Sequence, residues 1–108
     1  MIGKGVIFDA GGLNIKMTGH IEGMFLDKHG NLILILGSSS VLAAFKSIVE
    51  AKLKVNLVCT VAMVENLVGH KAYHPSDIIK SHKGLTVEIG NTDAEGRLIL
   101  CDCMSWTQ

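Results

Sequence analysis

Gly5-Val6-Ile7-Phe8-Asp9-Ala10-Gly11-Gly12 is a short apolar run that ends in a carboxylate and a pair of glycines. Val6-Ile7-Phe8 reads as a buried strand, because a continuous apolar run bounded by turn residues fits a strand covered on both faces. Gly11-Gly12 permits a tight turn with close backbone approach. A carboxylate at the carboxyl end of a buried strand is a typical ligand position in open α/β sheets. A turn-forming Asp is the competing reading of Asp9.

Downstream, Leu13-Asn14-Ile15-Lys16 alternates and predicts a second short strand. Residues 17–30 read as loop. Asn31 to Gly37 is an aliphatic run between two turn residues. Ser38 to Leu53 predicts a helix with Val41, Leu42, Phe45, Ile48 and Val49 on one face and N-cap candidates at Ser38–Ser40. Val55 to Ala62 is β-branched and predicts a buried strand. Asp77–Lys80 and Leu85–Ile89 predict a strand pair turning around His82-Lys83-Gly84. A last helix is expected from near Thr92, apolar nearly all round and therefore buried. This order argues an α/β fold.

Asn91-Thr92-Asp93-Ala94-Glu95-Gly96-Arg97 places two carboxylates and a guanidinium ahead of the apolar run Leu98–Cys101. In an extended or loop backbone Asp93 and Glu95 point the same way. Thr92-x-x-Glu95 also fits a capping box, with Thr92 as N-cap. Together with Lys4, Asp9, Lys16 and Asp27, these charges at apolar boundaries form either a buried ion network or a two-metal site. Two divalent ions need several oxygen ligands, at least one of them bridging, and four carboxylates supply them. A lysine ligand must be neutral, which neighbouring metal charge favours. The histidines, His20, His29, His70, His74 and His82, lie in polar loops without HExxH spacing and read as surface or turn residues.

Composition narrows the classes. The chain has 108 residues, enough for one small domain or part of a larger one, and is 48% hydrophobic with 19% charged, which fits a folded core. Ten basic and ten acidic residues balance, so neither nucleic acid nor an acidic membrane is an expected partner. Three cysteines, Cys59, Cys101 and Cys103, make no disulfide framework and read as buried thiols of a reducing compartment. Cys-x-Cys without a second pair is no zinc signature. No signal peptide is visible and no aliphatic run is long enough to span a bilayer, so a cytoplasmic location is expected. A chain opening on a buried-looking strand and stopping at Trp106-Thr107-Gln108 reads as an excised piece.

The pattern Gly3-Lys4-Gly5-Val6-x-Phe8-Asp9-x-Gly11-Gly12-x-x-x-Lys16, then Met24-x-x-Asp27, Glu65-Asn66 and Asn91 to Arg97, resembles the catalytic domain of the cytosolic leucyl aminopeptidases. The resemblance implies an α/β fold with a three-layer mixed sheet and flanking helices. Residues 1–108 would be the front part of a zinc-exopeptidase-like catalytic domain. It implies a dinuclear metalloaminopeptidase that removes leucine-like residues from peptides with a free N-terminus. Asp9 and Glu95 would bridge two zinc ions, Lys4 and Asp27 would complete the tight site, and Asp93 would serve the exchangeable one. Manganese or magnesium is compatible at the exchangeable site. Lys16 would meet the substrate carbonyl oxygen, Arg97 would hold bicarbonate as general base, and Met24 would line the side-chain pocket. The family forms homo-oligomers, as hexamers.

This chain departs from the pattern. Asn31 to Gly37 reads as an insertion beside Asp27, and Leu26 replaces a basic residue. The alternative function is a catalytically inactive remnant that binds protein or self-associates through Leu32–Leu36.

Overall fold

The computed structural model of the chain describes residues 1–17, 20 and 36–108. Strand β1 (Ile2–Asp9) pairs in parallel with β2 (Thr60–Asn66), in a register that sets Ile2 opposite Thr60 and Asp9 opposite Asn66. Parallel neighbours need a crossover, and the crossover carries helix α1 (Leu36–Glu50). Strands β3 (Ile78–Lys80) and β4 (Thr86–Glu88) form an antiparallel pair, as the sequence predicts, with Gly84 at φ +91° in their turn. A 3₁₀ turn (Thr92–Ala94) leads into helix α2 (Glu95–Thr107). The α/β class stands, but the parallel and antiparallel pairs form two separate two-stranded sheets among the described residues.

Close approach of α1 to β1 explains the glycines of the first strand. A Cβ on Gly3 would lie 2.7 Å from the Ser38 Cα, and one on Gly37 would lie 3.1 Å from the Lys4 backbone nitrogen. Only a seam of small residues lets the first turn of the helix rest on the strand backbone. Ser38 is therefore fully buried inside α1, not a cap. The helix runs from Leu36 to Glu50, earlier at both ends than the predicted Ser38 to Leu53. Val41, Phe45 and Ile48 are half-buried, whereas Leu42 and Val49 are exposed.

Four further expectations are corrected. Leu13–Lys16 is a turn, not a strand, because its polar groups are taken up elsewhere, as described below. The second parallel strand starts at Thr60 rather than Val55, and Val55 and Val58 are exposed. β-branched residues need a partner strand. β1 begins only at Ile2, with the Met1 ammonium donating to the Val58 carbonyl at 2.6 Å. Helix α2 is not buried: only Glu95 and Gly96 are, while Met104 and Trp106 are 51% and 65% exposed. Its apolar face records what it can bury, and among the described residues β1 and β2 are the strands packed against it. The thiols are free as expected, Cys59 and Cys103 half-buried, but Cys101 is exposed.

Val6 and Ile89 are the buried apolar side chains among the described residues. The other buried side chains, Asp9, Ser38, Asn66, Thr92 and Glu95, are polar. Buried polar groups are costly unless paired, and four of the five meet at one place, the carboxyl ends of β1 and β2.

Candidate metal centre

Asp9 is 3% exposed at the end of β1. Its Oδ1 accepts from the Gly11 backbone N–H and the Asn66 Nδ2, each at 2.9 Å, and its Oδ2 lies 3.4 Å from the Lys16 ammonium. Gly11 and Gly12, at φ +91° and +65°, turn the chain so that the Lys16 N–H donates to the Ala10 carbonyl at 2.9 Å. These left-handed positions favour glycine.

Thr92 ties that turn to the start of α2. Its hydroxyl donates to the Gly11 carbonyl at 2.6 Å and accepts from the Asn14 N–H at 2.8 Å. Its own N–H donates to the Asn14 side-chain oxygen at 2.8 Å. These bonds occupy the groups that a strand at Leu13–Lys16 would have placed in a ladder. They also dispose of the capping box: Asn91 is the cap, its side chain accepting from the Asp93 N–H at 2.8 Å.

Asp93 and Glu95 sit in a helical turn rather than an extended segment, yet their carboxylates converge. Ala94 lies at φ −108°, ψ 25° between them, interrupting the regular helical advance. Oxygens of Asp9, Asp93 and Glu95 all lie within 4.8 Å of one another. Lys4 Nζ stands 2.7 Å from Glu95 Oε1, and Lys16 Nζ bonds the Asp93 carboxylate. Three carboxylates and two ammoniums leave the cluster one negative charge in excess.

Burial disfavours the Lys16 ammonium, but its hydrogen bond to Asp93 and the charges of Asp9 and Asp93 outweigh this and hold its pKa above the ordinary lysine value. Tyr73 donates to the Thr92 carbonyl at 2.9 Å. Burial, then the charges of Glu95, Asp9 and Asp93, push its phenol above the ordinary tyrosine value.

The donor set suits a divalent cation. Oxygen ligands of this hardness fit magnesium and manganese, and zinc also accepts them. Glu95 Oε1 is buried beside the Lys4 ammonium but receives no well-directed hydrogen bond among the described residues. We read the 2.7 Å approach as charge pairing that leaves an oxygen lone pair open to a ligand.

Of the residues singled out in the sequence, Lys4, Asp9, Lys16, Asp93 and Glu95 meet here. Arg97 does not join the carboxylates. It is exposed and lines an open groove of about 470 Å³ with Asn91, Ala94 and Leu98. Met24, Asp27 and residues 31–35 of the expected insertion lie outside the described residues, while Leu36 and Gly37 belong to α1. His20, His70, His74 and His82 are exposed as expected. Asn14 and Tyr73 were not foreseen, and Asn66 carried no assigned role. Its place at the end of β2, matching that of Asp9 in β1, was the available signal.

Comparison with known proteins identifies the family of the chain. The family model of the cytosol aminopeptidase family, catalytic domain, matches residues 1–108. A probable cytosol aminopeptidase of Stenotrophomonas maltophilia is 48% identical over 108 residues, which is 100% of this chain and 21% of that protein. The cytosol aminopeptidase of Coxiella burnetii superposes with a TM-score of 0.85 at 39% identity, over 98% of this chain and 22% of that one. The leucyl aminopeptidase of Trypanosoma brucei, solved with bestatin, gives a TM-score of 0.81 at 40% identity, over 94% of this chain and 18% of that one. The chain thus spans about one fifth of the length of the curated relatives it matches. Among the described residues no helix is long and apolar enough to cross a membrane. Over its whole length, the chain belongs to the catalytic domain of the cytosol aminopeptidase family.

Proposed function

We propose that the chain is the metal-binding front part, residues 1–108, of a dinuclear metalloaminopeptidase catalytic domain. The observation that carries the reading is the convergence of the Asp9, Asp93 and Glu95 carboxylates within 4.8 Å, with Lys4 and Lys16 against them. Asp9 and Glu95 would bridge two divalent ions, zinc first, with Lys4, Asp93 and Asp27 completing the set. Bound there, such ions supply a water acidic enough to attack at neutral pH and polarise the scissile carbonyl.

The chain's own residues do the rest. Lys16, held charged by Asp93 and Asp9, donates to the substrate carbonyl oxygen as it gains negative charge. Losing one such donor costs about 2.7–4 kcal/mol in the transition state. Arg97 would hold bicarbonate as the base. Met24 would line the pocket for a leucine-like first residue. A free substrate α-amine would register the peptide by its N-terminus. The names of the relatives support a cytosolic setting, and oligomeric assembly rests on the family resemblance.

The test is native mass spectrometry of the chain with zinc and with manganese, followed by hydrolysis of a leucine amide. Two ions per chain, reduced in Asp9→Ala and Glu95→Ala, are expected. A folded chain that takes up no ion overturns the reading. A second reading, a protein-binding remnant, draws on the exposed Met104 and Trp106 of α2. It predicts self-association or partner capture that persists in chelator.

A further inference from the structure

We infer that Asn66 is the positioning residue that fixes the Asp9 and Glu95 carboxylates at the spacing a divalent ion requires. The inference rests on the metal reading above. Asn66 is 5% exposed and ends β2 directly opposite Asp9. Its backbone carbonyl accepts from the Ala10 N–H at 2.9 Å, so the backbone beneath the side chain is held.

The carboxamide Nδ2 faces three acceptors: Asp9 Oδ1 at 2.9 Å, the Thr92 carbonyl at 3.0 Å and Glu95 Oε2 at 3.3 Å. Two hydrogens serve all three, so one donor spans both proposed bridging carboxylates and the turn between them. The orientation of the amide follows from chemistry. Reversed, its oxygen would face two carboxylates and a carbonyl, every one an acceptor. Gly12 lies behind it: a Cβ there would come within 3.0 Å of Asn66 Oδ1.

A neutral donor is suited to this task. A fixed positive charge at this place would oppose an entering cation, whereas a neutral amide orients the carboxylates without repelling it. Asn66 therefore holds both carboxylates in orientation with or without metal. Groups of this kind typically contribute 10–100-fold to metal affinity.

The test uses the 108-residue chain and manganese alone, with zinc in its place if manganese is not taken up. Asn66→Leu removes the donor at similar volume and is expected to weaken manganese binding about 10–100-fold. Tyr73→Phe, which loses a hydrogen bond to the same Thr92 carbonyl and none to a carboxylate among the described residues, is expected to leave affinity unchanged. If Asn66→Leu does not fold by circular dichroism, Asn66→Gln, which keeps the amide but moves it by one methylene, is expected to show the same loss. A folded Asn66→Leu or Asn66→Gln with wild-type affinity overturns the role, as does an equal loss in Tyr73→Phe. Failure of the folded wild-type chain to take up either manganese or zinc overturns the metal reading itself, and this role with it.

Discussion

Asp9 and Asn66 stand opposite each other at the carboxyl ends of two parallel strands, and the Asn66 amide donates to Asp9 Oδ1 at 2.9 Å. The strand register alone delivers that pair. From it follows the position of Glu95, 3.3 Å from the same amide, and thus the shape of the cluster.

Three carboxylates so close, offset by only two ammoniums, leave the metal-free chain with unrelieved repulsion. A ligand that binds only the folded state adds about 2.7 kcal/mol at 100 times its Kd. Manganese or zinc at that level is expected to raise the thermal midpoint of the wild-type chain. Chelator is expected to reverse it, and the rise is expected to be lost in Glu95→Ala. Thermal melts followed by circular dichroism decide the matter, and a midpoint indifferent to metal would speak against the site.

Thr92 is fully buried, and its hydroxyl bonds both Gly11 and Asn14. Thr92→Val keeps the shape but strands a buried carbonyl and a part-buried N–H, each worth about 1–3 kcal/mol when unsatisfied. Urea unfolding is expected to show a loss of that order, with the slope unchanged. A loss below that range would mean that water replaces the hydroxyl.

Much of this was legible beforehand. β1 announced itself through Val6-Ile7-Phe8 and the Asp9-x-Gly-Gly ending, and the β3–β4 pair through its turn residues. What failed was local reasoning applied to groups whose partners lie far off in the chain. Leu13–Lys16 alternates like a strand, but Asn14 spends its bonds on Thr92, 78 residues away. Thr92 reads as a helix cap for the same reason, since short-range spacing cannot reveal a partner at Gly11. Asp93 and Glu95 do converge, but from a helical turn rather than from an extended backbone. Asn66 lacks a charge, and only the register shows whom it serves.

Gly96 opens the way for Lys4. A Cβ there would lie 2.7 Å from Lys4 Nζ and 2.9 Å from its Cδ. Helix propensity alone favours Gly96→Ala by up to about 1 kcal/mol. The expected outcome is a fall in metal affinity, because Lys4 is pushed from Glu95, while in the metal-free chain the gain in helix propensity is offset by loss of that ion pair. Paired calorimetric titration and melting curves would show the split. Loss of stability without loss of affinity would place Lys4 outside the ligand set.

Tyr73 is the single tyrosine, so its ionisation can be followed by ultraviolet absorbance without ambiguity. Burial first, then the charges of Glu95, Asp9 and Asp93, raise its pKa in the folded chain above the ordinary value of 10.0. A raised folded-state pKa means that the unfolded chain loses this proton first. Its stabilising contribution is complete below the unfolded pKa and is lost as pH rises through the folded one. Stability should therefore decline from about pH 10 upward, and less steeply in Tyr73→Phe. Glu95→Gln removes the largest of the charge contributions and is expected to lower the phenol midpoint, which stays above the ordinary value because burial persists. A midpoint unmoved by Glu95→Gln would mean that the carboxylates do not face this ring, and the geometry around the Thr92 carbonyl would have to be redrawn.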